Sequence, residues 1–113
     1  MSTPLPVIDD AVLRELGDTA GEDFVAELVG TFFEEAPEML AALRQALKAG
    51  NTESFRRNAH SLKTNAHTFG AMALGALARE LELGGLPADD RGLAALEAAY
   101  AQAAAALMER IGG

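Results

Sequence analysis

The chain has 113 residues, no cysteine and a formal net charge of -8 at pH 7. Its length suits a single domain, which we expect to span residues 1–113, and the lack of cysteine excludes disulfides, thiolate metal sites and thiol nucleophiles. The negative charge argues against nucleic acid or a membrane as a partner, and because the sequence shows no signal peptide and no membrane span we expect a cytoplasmic protein.

The spacing of apolar residues and helix breakers predicts an all-α fold. Residues 1–8 are expected to form a loose arm at the start of the chain. A short helix follows, which is capped by Asp9 or Asp10 and is ended by Gly17.

A long amphipathic helix is predicted from about Gly21 to Ala49. Pro37 lies inside this stretch, and an interior proline removes a backbone hydrogen bond. The segment therefore either kinks at Pro37 or divides there into two helices. The next helix begins at a cap, Asn51 or Thr52, and ends near Phe69.

Two further helices complete the predicted fold. Gly70 is expected to form the turn that ends the preceding helix, and the next one covers residues 71–83. Asp89 or Asp90 opens the last helix, whose apolar residues continue to Ile111. Because short turns make neighbouring helices antiparallel, we expect an up-down-up-down four-helix bundle with the short N-terminal helix across one end.

The helix that starts at residue 51 or 52 holds both histidines of the chain. At about 100° per residue, with Phe55 at zero, its apolar side chains fall within about 40° of one direction and form the buried face: Phe55, Ala59, Leu62, Ala66 and Phe69. His60 falls at about 140°, His67 at about 120° and Thr64 at about 180°, so all three point away from the core. Lys63, at about 80°, lies at the edge, where its amine can reach water.

Two kinds of site are disfavoured by this placement. His60 and His67 are about 10 Å apart along the helix axis, whereas zinc–nitrogen bonds are about 2.0–2.1 Å, so we expect no metal site. Ser61 diverges from His60 by about 100°, so the two cannot act as nucleophile and base. A solvated surface histidine without a role stays an alternative for both imidazoles.

His60 is also suited to attack on a phosphoryl group. A neutral imidazole can attack through the lone pair of a ring nitrogen. Lys63 and Thr64, three and four residues on, share its surface patch, where the amine could hold a phosphoryl oxygen and the hydroxyl could donate to it. Nothing in this patch would catalyse the transfer, so a partner must bring that machinery.

The segment "AHSLKTNAHTFGAMALGALARELE" resembles the signature of histidine-containing phosphotransfer (HPt) domains. The pattern is a histidine, a leucine two residues on, a lysine three on, a glycine ten on and a later Leu-Glu pair. In this chain the matching residues are His60, Leu62, Lys63, Gly70, Leu81 and Glu82. The length and the order of the helices agree with the same family.

The resemblance implies a phosphorelay carrier that is not an enzyme. Such domains accept a phosphoryl group on the histidine from a receiver-domain aspartate or a hybrid sensor histidine kinase, and pass it to another receiver. His60 would be the acceptor, Lys63 the group that stabilises the phosphoryl group and Gly70 the turn into the next helix. Many members have glycine where this chain has Thr64. We expect a monomer without cofactors, because the Mg²⁺ belongs to the receiver.

Basic residues are concentrated around the histidines. No Asp or Glu occurs from Ser54 to Arg79, and we call the four cations in this stretch the basic island: Arg56, Arg57, Lys63 and Arg79. Because a receiver presents an acidic pocket, this charge suits its docking, and we assign Arg56, Arg57 and His67 to the rim of the partner-binding face. The alternative function is a helical docking module that binds a receiver or a partner helix without being phosphorylated.

Overall fold

The computed structural model describes residues 5–111, which contain five α-helices and no strand. The helices are α1 (Asp10–Ala20), α2 (Glu22–Ala49), α3 (Thr52–Thr68), α4 (Met72–Leu83) and α5 (Arg91–Ile111). None of the five is both long and apolar enough to cross a membrane. The predicted all-α fold is confirmed.

Helices α2 to α5 form the predicted four-helix bundle, and α1 packs against α2 and α3. Phe32 of α2 packs against Phe69 at the end of α3, with ring centroids 5.3 Å apart and the ring planes tilted by 37°. At the other end of the bundle, Arg44 of α2 pairs with Glu97 of α5. The largest fully buried side chains come from all four bundle helices: Val29, Phe32, Leu43, Phe55, Leu62, Leu74, Leu93, Leu96 and Leu107.

The short helix α1 is longer than the sequence predicts. Asp9 is its cap, because its carboxylate accepts a hydrogen bond from the Ala11 backbone N–H. The predicted end at Gly17 is wrong, since the helix continues to Ala20 and the Gly21 N–H donates to the Gly17 carbonyl. Gly21 has φ 93°, which side chains disfavour, so the chain leaves the helix at this later glycine.

Pro37 does not divide α2, which runs without a break from Glu22 to Ala49. Proline cannot donate to the carbonyl of Phe33, four residues earlier. Pro37 is exposed, whereas its neighbour Ala36 is fully buried, so the helix presents the proline to solvent. The two-helix alternative is therefore wrong, and a kink at Pro37 stays a prediction.

The N-terminal arm is not loose over the part that the structure describes. Residues 1–4 lie outside that part, but Ile8 is only 5% exposed and belongs to the core. The carbonyl of Pro6 accepts from the Ala73 N–H at 3.1 Å. These contacts correct the expected loose arm, because a buried isoleucine and a backbone hydrogen bond attach the segment to the start of α4.

Candidate functional site

His60 lies on the exposed face of α3, as the helix periodicity predicts. Asn51 caps this helix by accepting from the Ser54 N–H, and the apolar face that begins at Phe55 is buried against the bundle. Leu62 is fully buried, whereas the His60 side chain is 54% exposed. The core therefore anchors α3 directly beneath an imidazole that solvent and a partner can reach.

A carboxylate from α4 joins His60 to Lys63. Glu82 Oε2 lies 2.7 Å from His60 Nδ1, and Glu82 Oε1 lies 2.7 Å from the Lys63 amine. The Glu82 side chain is only 10% exposed, so the carboxylate itself is largely shielded from water. We call these three side chains the His60–Glu82–Lys63 cluster.

The charge of Glu82 determines which nitrogen of His60 is available. The pKa of the Glu82 carboxyl is lowered, mainly by the Lys63 amine beside it and also by the hydrogen bond from His60, although burial acts in the opposite direction. An ionised carboxylate can only accept, so the hydrogen between Glu82 and His60 belongs to Nδ1. In the neutral ring Nε2 then carries the lone pair, which makes it the nucleophilic nitrogen.

The other two groups that the sequence places beside His60 have partners of their own. The Lys63 side chain is 21% exposed, and its amine contacts Glu82. Thr64 is exposed, but its hydroxyl donates to the His60 carbonyl at 3.1 Å. A phosphoryl group on His60 would therefore share the Lys63 charge with Glu82 and compete with a backbone carbonyl for the Thr64 proton.

His67 does not join the cluster. Its imidazole lies over Gly75, a buried position of α4, where a methyl group would overlap the ring. His67 is exposed and lies at the seam between α3 and α4, nearer the Gly70 turn than His60. This contact gives His67 a packing partner, and its assignment to the partner-binding rim stays a prediction.

The two arginines assigned to the rim differ in their surroundings. Arg56 donates to Glu53, one turn earlier on α3, with Nη2 2.6 Å from Oε1. Arg57 is exposed, and no carboxylate within residues 5–111 pairs with it. The basic island is therefore less basic in space than along the chain, because Glu53 and Glu82 pair with two of its members.

Gly70 forms the turn between α3 and α4 with φ 76°, and α4 begins two residues later at Met72. Its carbonyl accepts from the Asp9 N–H at 2.7 Å, which attaches the start of α1 to this turn. The predicted turn is confirmed, and it also sets the register in which α4 returns along α3 and brings Glu82 to His60.

Glu82 is the site residue to which the sequence assigns no role. It appears in the Leu-Glu pair of the signature, and a second signal was also present. Leu74, Ala78 and Glu82 follow one another at four-residue steps, which places the carboxylate on the apolar stripe of α4. A charged group in such a place requires a partner, because burial of an unpaired charge is costly.

Within residues 5–111, no group of three or more His, Cys, Asp or Glu side chains is arranged to hold a metal ion. The acidic side chain nearest to His60 is instead part of the His60–Glu82–Lys63 cluster. What the described arrangement offers chemically is one exposed imidazole with an oriented ring and a compensating charge behind it.

Comparison with known proteins gives the same picture. Residues 27–106, which include the whole His60–Glu82–Lys63 cluster, match the family model of the Hpt domain. The fold is similar to the crystal structure of histidine-containing phosphotransfer protein B (HptB) from Pseudomonas aeruginosa PAO1, with 28% identity and a TM-score of 0.85 over 95% of this chain and 96% of that one. No curated protein matches significantly. The chain belongs to the Hpt domain family.

Proposed function

We propose that this protein carries a phosphoryl group on Nε2 of His60 and transfers it between aspartates of receiver domains. The observation that carries the proposal is the hydrogen bond from His60 Nδ1 to Glu82, which leaves Nε2 as the nucleophile on a half-exposed ring. Membership of the Hpt domain family and the similarity to a histidine-containing phosphotransfer protein support it.

The transfer step requires no proton to move. The Nε2 lone pair attacks phosphorus, an N–P bond forms, and the P–O bond to the donor aspartate breaks with its electron pair leaving on the aspartate oxygen. Nδ1 keeps its hydrogen, so the imidazole ring gains a positive charge. The Glu82 carboxylate, 2.7 Å from Nδ1, stabilises that charge. The same arrangement serves the return step, in which the next aspartate attacks phosphorus and the ring becomes neutral again.

The partner supplies the rest of the chemistry. This chain contributes the acceptor imidazole and the groups that orient it, and the receiver contributes Mg²⁺ and the acidic pocket that holds the aspartate. Receivers of response regulators, or the receiver of a hybrid sensor histidine kinase, are the partners that fit. The protein acts as a monomeric carrier in the cytoplasm and has no catalytic centre of its own.

The test uses purified receiver domains that have been phosphorylated with radioactive acetyl phosphate in the presence of Mg²⁺. The wild-type chain acquires label that is lost in acid and retained in base, as expected for phosphohistidine. His60→Gln abolishes the label without loss of the fold, because His60 is exposed. His67→Ala is the matched control, since it removes the other imidazole of α3 and keeps the label.

Two outcomes would overturn the proposal. One is label that survives in His60→Gln, which would place the phosphoryl group on another residue. The other is a wild-type chain that binds phosphorylated receivers but takes no label. The protein would then be a docking module that is not phosphorylated. Circular dichroism of His60→Gln separates loss of the acceptor from loss of the fold.

A further inference from the structure

The four cations of the basic island do not have the same freedom to bind a new anion. Arg56 pairs with Glu53, and the Lys63 amine pairs with Glu82. Arg79 on α4 is exposed, and no carboxylate of residues 5–111 pairs with it. Its guanidinium is therefore available at a place where the neighbouring lysine is already engaged.

The contacts between α3 and α4 place Arg79 beside the phosphorylation site. His60 meets Glu82 at one end of the seam and His67 meets Gly75 at the other, so the helices run antiparallel. In that register Arg79 lies opposite Lys63 and three residues before Glu82, or about 4.5 Å along the axis. The position opposite His60 is thus a single turn away from Arg79.

The direction of the side chain agrees with this placement. At about 100° per residue with buried Ala78 at zero, Glu82 falls at about 40° and Gly75 at about 60° on α4. Both of these face α3, as their contacts with the two histidines show. Arg79 falls at about 100°, on the same side but nearer to solvent. An arginine there has the reach to cross the seam toward the exposed nitrogen of His60.

The charge of the phosphorylated cluster favours a second cation. With the neutral imidazole that attacks phosphorus, the charges of Lys63 and Glu82 balance before transfer. A phosphoryl group adds about two negative charges, of which the positively charged ring compensates only one. A net negative charge then remains beside Glu82, in a cluster whose only other cation is already shared with that carboxylate.

We propose that Arg79 binds the phosphoryl oxygens on His60 through its guanidinium, as a phosphoryl-binding residue supplied by α4. The proposal rests on the proposed function, since it assigns a group to the phosphorylated state of the same site. A planar guanidinium can donate two parallel hydrogen bonds to a phosphoryl group, which a lysine amine cannot do. Arg79 forms and breaks no covalent bond. Its effect is to stabilise the phosphohistidine and the phosphoryl oxygens in the transition state of transfer.

The experiment uses phosphoramidate as the phosphoryl donor, so that docking of a partner plays no part. Wild type, Arg79→Ala and Arg79→Lys are labelled at His60, and the label is followed by ³¹P NMR during labelling and after removal of the donor. We expect Arg79→Ala to be labelled about three- to tenfold more slowly and to lose its phosphoryl group faster by a similar factor, with Arg79→Lys between it and wild type.

Lys48→Ala is the matched control, because it removes one exposed cation at the C-terminal end of α2, outside the site. It should behave as wild type. A second readout is direct: phosphorylation of the wild type should shift the side-chain ¹⁵Nε resonance of Arg79 and leave that of Arg14 unchanged. A merely structural role for Arg79 would not produce that shift.

The outcomes distinguish the two proposals. If wild-type His60 takes label and Arg79→Ala matches it in both rates, the role of Arg79 is wrong and the carrier function stands. If His60 takes no label from phosphoramidate or from phosphorylated receivers, the carrier function is wrong, and the role of Arg79 is wrong with it. Equal slowing by Lys48→Ala would also overturn the proposal, because the effect would then be one of net charge.

Discussion

A Cβ atom on Gly70 would lie 2.7 Å from the carbonyl oxygen of Asp9. This approach exists because the Asp9 N–H donates to the Gly70 carbonyl, so the start of α1 rests on the turn between α3 and α4. Gly70 also has φ 76°, a conformation that residues with side chains rarely adopt. Glycine is therefore required here both by the backbone conformation and by the contact with α1.

Gly70→Ala should destabilise the protein much more than Gly50→Ala. Both glycines have positive φ, but no atom lies within 4 Å of a Cβ at Gly50, so alanine there costs only the strained conformation, about 1–2 kcal/mol. At Gly70 the backbone of Asp9 must move as well, and we expect a total loss of about 2–4 kcal/mol. Urea unfolding measures both, and equal losses would mean that α1 moves away without cost.

The core beneath the site gives a test of the helix phase. Leu62→Ala should cost about 2–5 kcal/mol in the free energy of unfolding, because Leu62 is fully buried. Thr64→Ala should stay within about 0.5 kcal/mol, since Thr64 is exposed and alanine is the better helix former. Urea unfolding that ranked the two variants in the opposite order would contradict the exposure of His60 as well.

The exposed and buried faces of α3 could be predicted because they depend on one helix alone. A stripe of apolar side chains at helical spacing determines which way Leu62 and His60 point, whatever the helix packs against. The Glu82 bridge could not be derived in this way. It depends on the register between α3 and α4, and that register is a property of the Gly70 turn and of side-chain packing across two helices.

The errors near the N-terminus have the same origin. Gly17 and Gly21 are both good helix terminators by local criteria, and the helix ends at Gly21, which has φ 93° and donates its N–H to the Gly17 carbonyl. Ile8 follows two prolines and has no helical pattern around it, so local sequence suggests a loose arm. Its burial depends on a contact of this segment with the bundle, which no periodicity within residues 5–9 reveals.

The orientation of the His60 ring by Glu82 predicts a change that NMR can detect. In the neutral ring of the wild type the hydrogen is held on Nδ1, because Glu82 accepts it. Glu82→Ala removes the acceptor, so ¹⁵N NMR should show the ring returning to a mixture of tautomers, and labelling by phosphoramidate should slow by roughly tenfold. Glu80→Ala, which removes an exposed carboxylate from the same helix, should change neither quantity.

An unchanged tautomer in Glu82→Ala would show that Glu82 does not orient the ring. Slower labelling with an unchanged tautomer would assign Glu82 a purely electrostatic role. The two measurements are therefore needed together, since the rate alone does not distinguish orientation of the imidazole from stabilisation of its charge.

The same carboxylate makes part of the stability depend on pH. The pKa of Glu82 is lowered in the folded protein, chiefly by Lys63. A carboxyl group whose pKa is lowered by folding contributes its full stability above its unfolded value, about 4.3, and loses that stability as the pH falls through the folded value. The difference in unfolding free energy between wild type and Glu82→Gln should therefore shrink from pH 5.5 to pH 3.

Urea unfolding at several pH values measures this difference, in which the titration of the other carboxyl groups cancels. Glu80→Gln serves as the control, and its difference from wild type should stay nearly constant over the same range. A difference that grew on acidification for Glu82→Gln would contradict the lowered pKa, and with it the ionised state on which the assignment of Nε2 depends.

The ion pairs on α3 indicate which of its cations is available to steer a partner. Arg56 is paired with Glu53, and Lys63 with Glu82, whereas Arg57 is exposed on the side of α3 away from Lys63. A charge at the rim of an interface acts mainly on the association rate and on its dependence on salt. Arg57 is thus the residue of α3 whose reversal should affect encounter without affecting the chemistry.

Arg57→Glu should slow association with a phosphorylated receiver at low salt and leave the transfer step unchanged once the complex has formed. The difference from wild type should fade as salt rises, because the Debye length falls from about 10 Å at 0.1 M to about 3 Å at 1 M.

Lys63→Ala should behave in the opposite way, because its amine contacts the carboxylate that orients His60, so transfer within the complex slows. Stopped-flow binding and single-turnover transfer separate the two steps, with Arg14→Glu on α1 as the control for net charge. Equal association rates for wild type and Arg57→Glu at low salt would contradict the steering role of Arg57. The roles left to the basic island would then be those of Arg79 and Lys63 at the phosphorylation site.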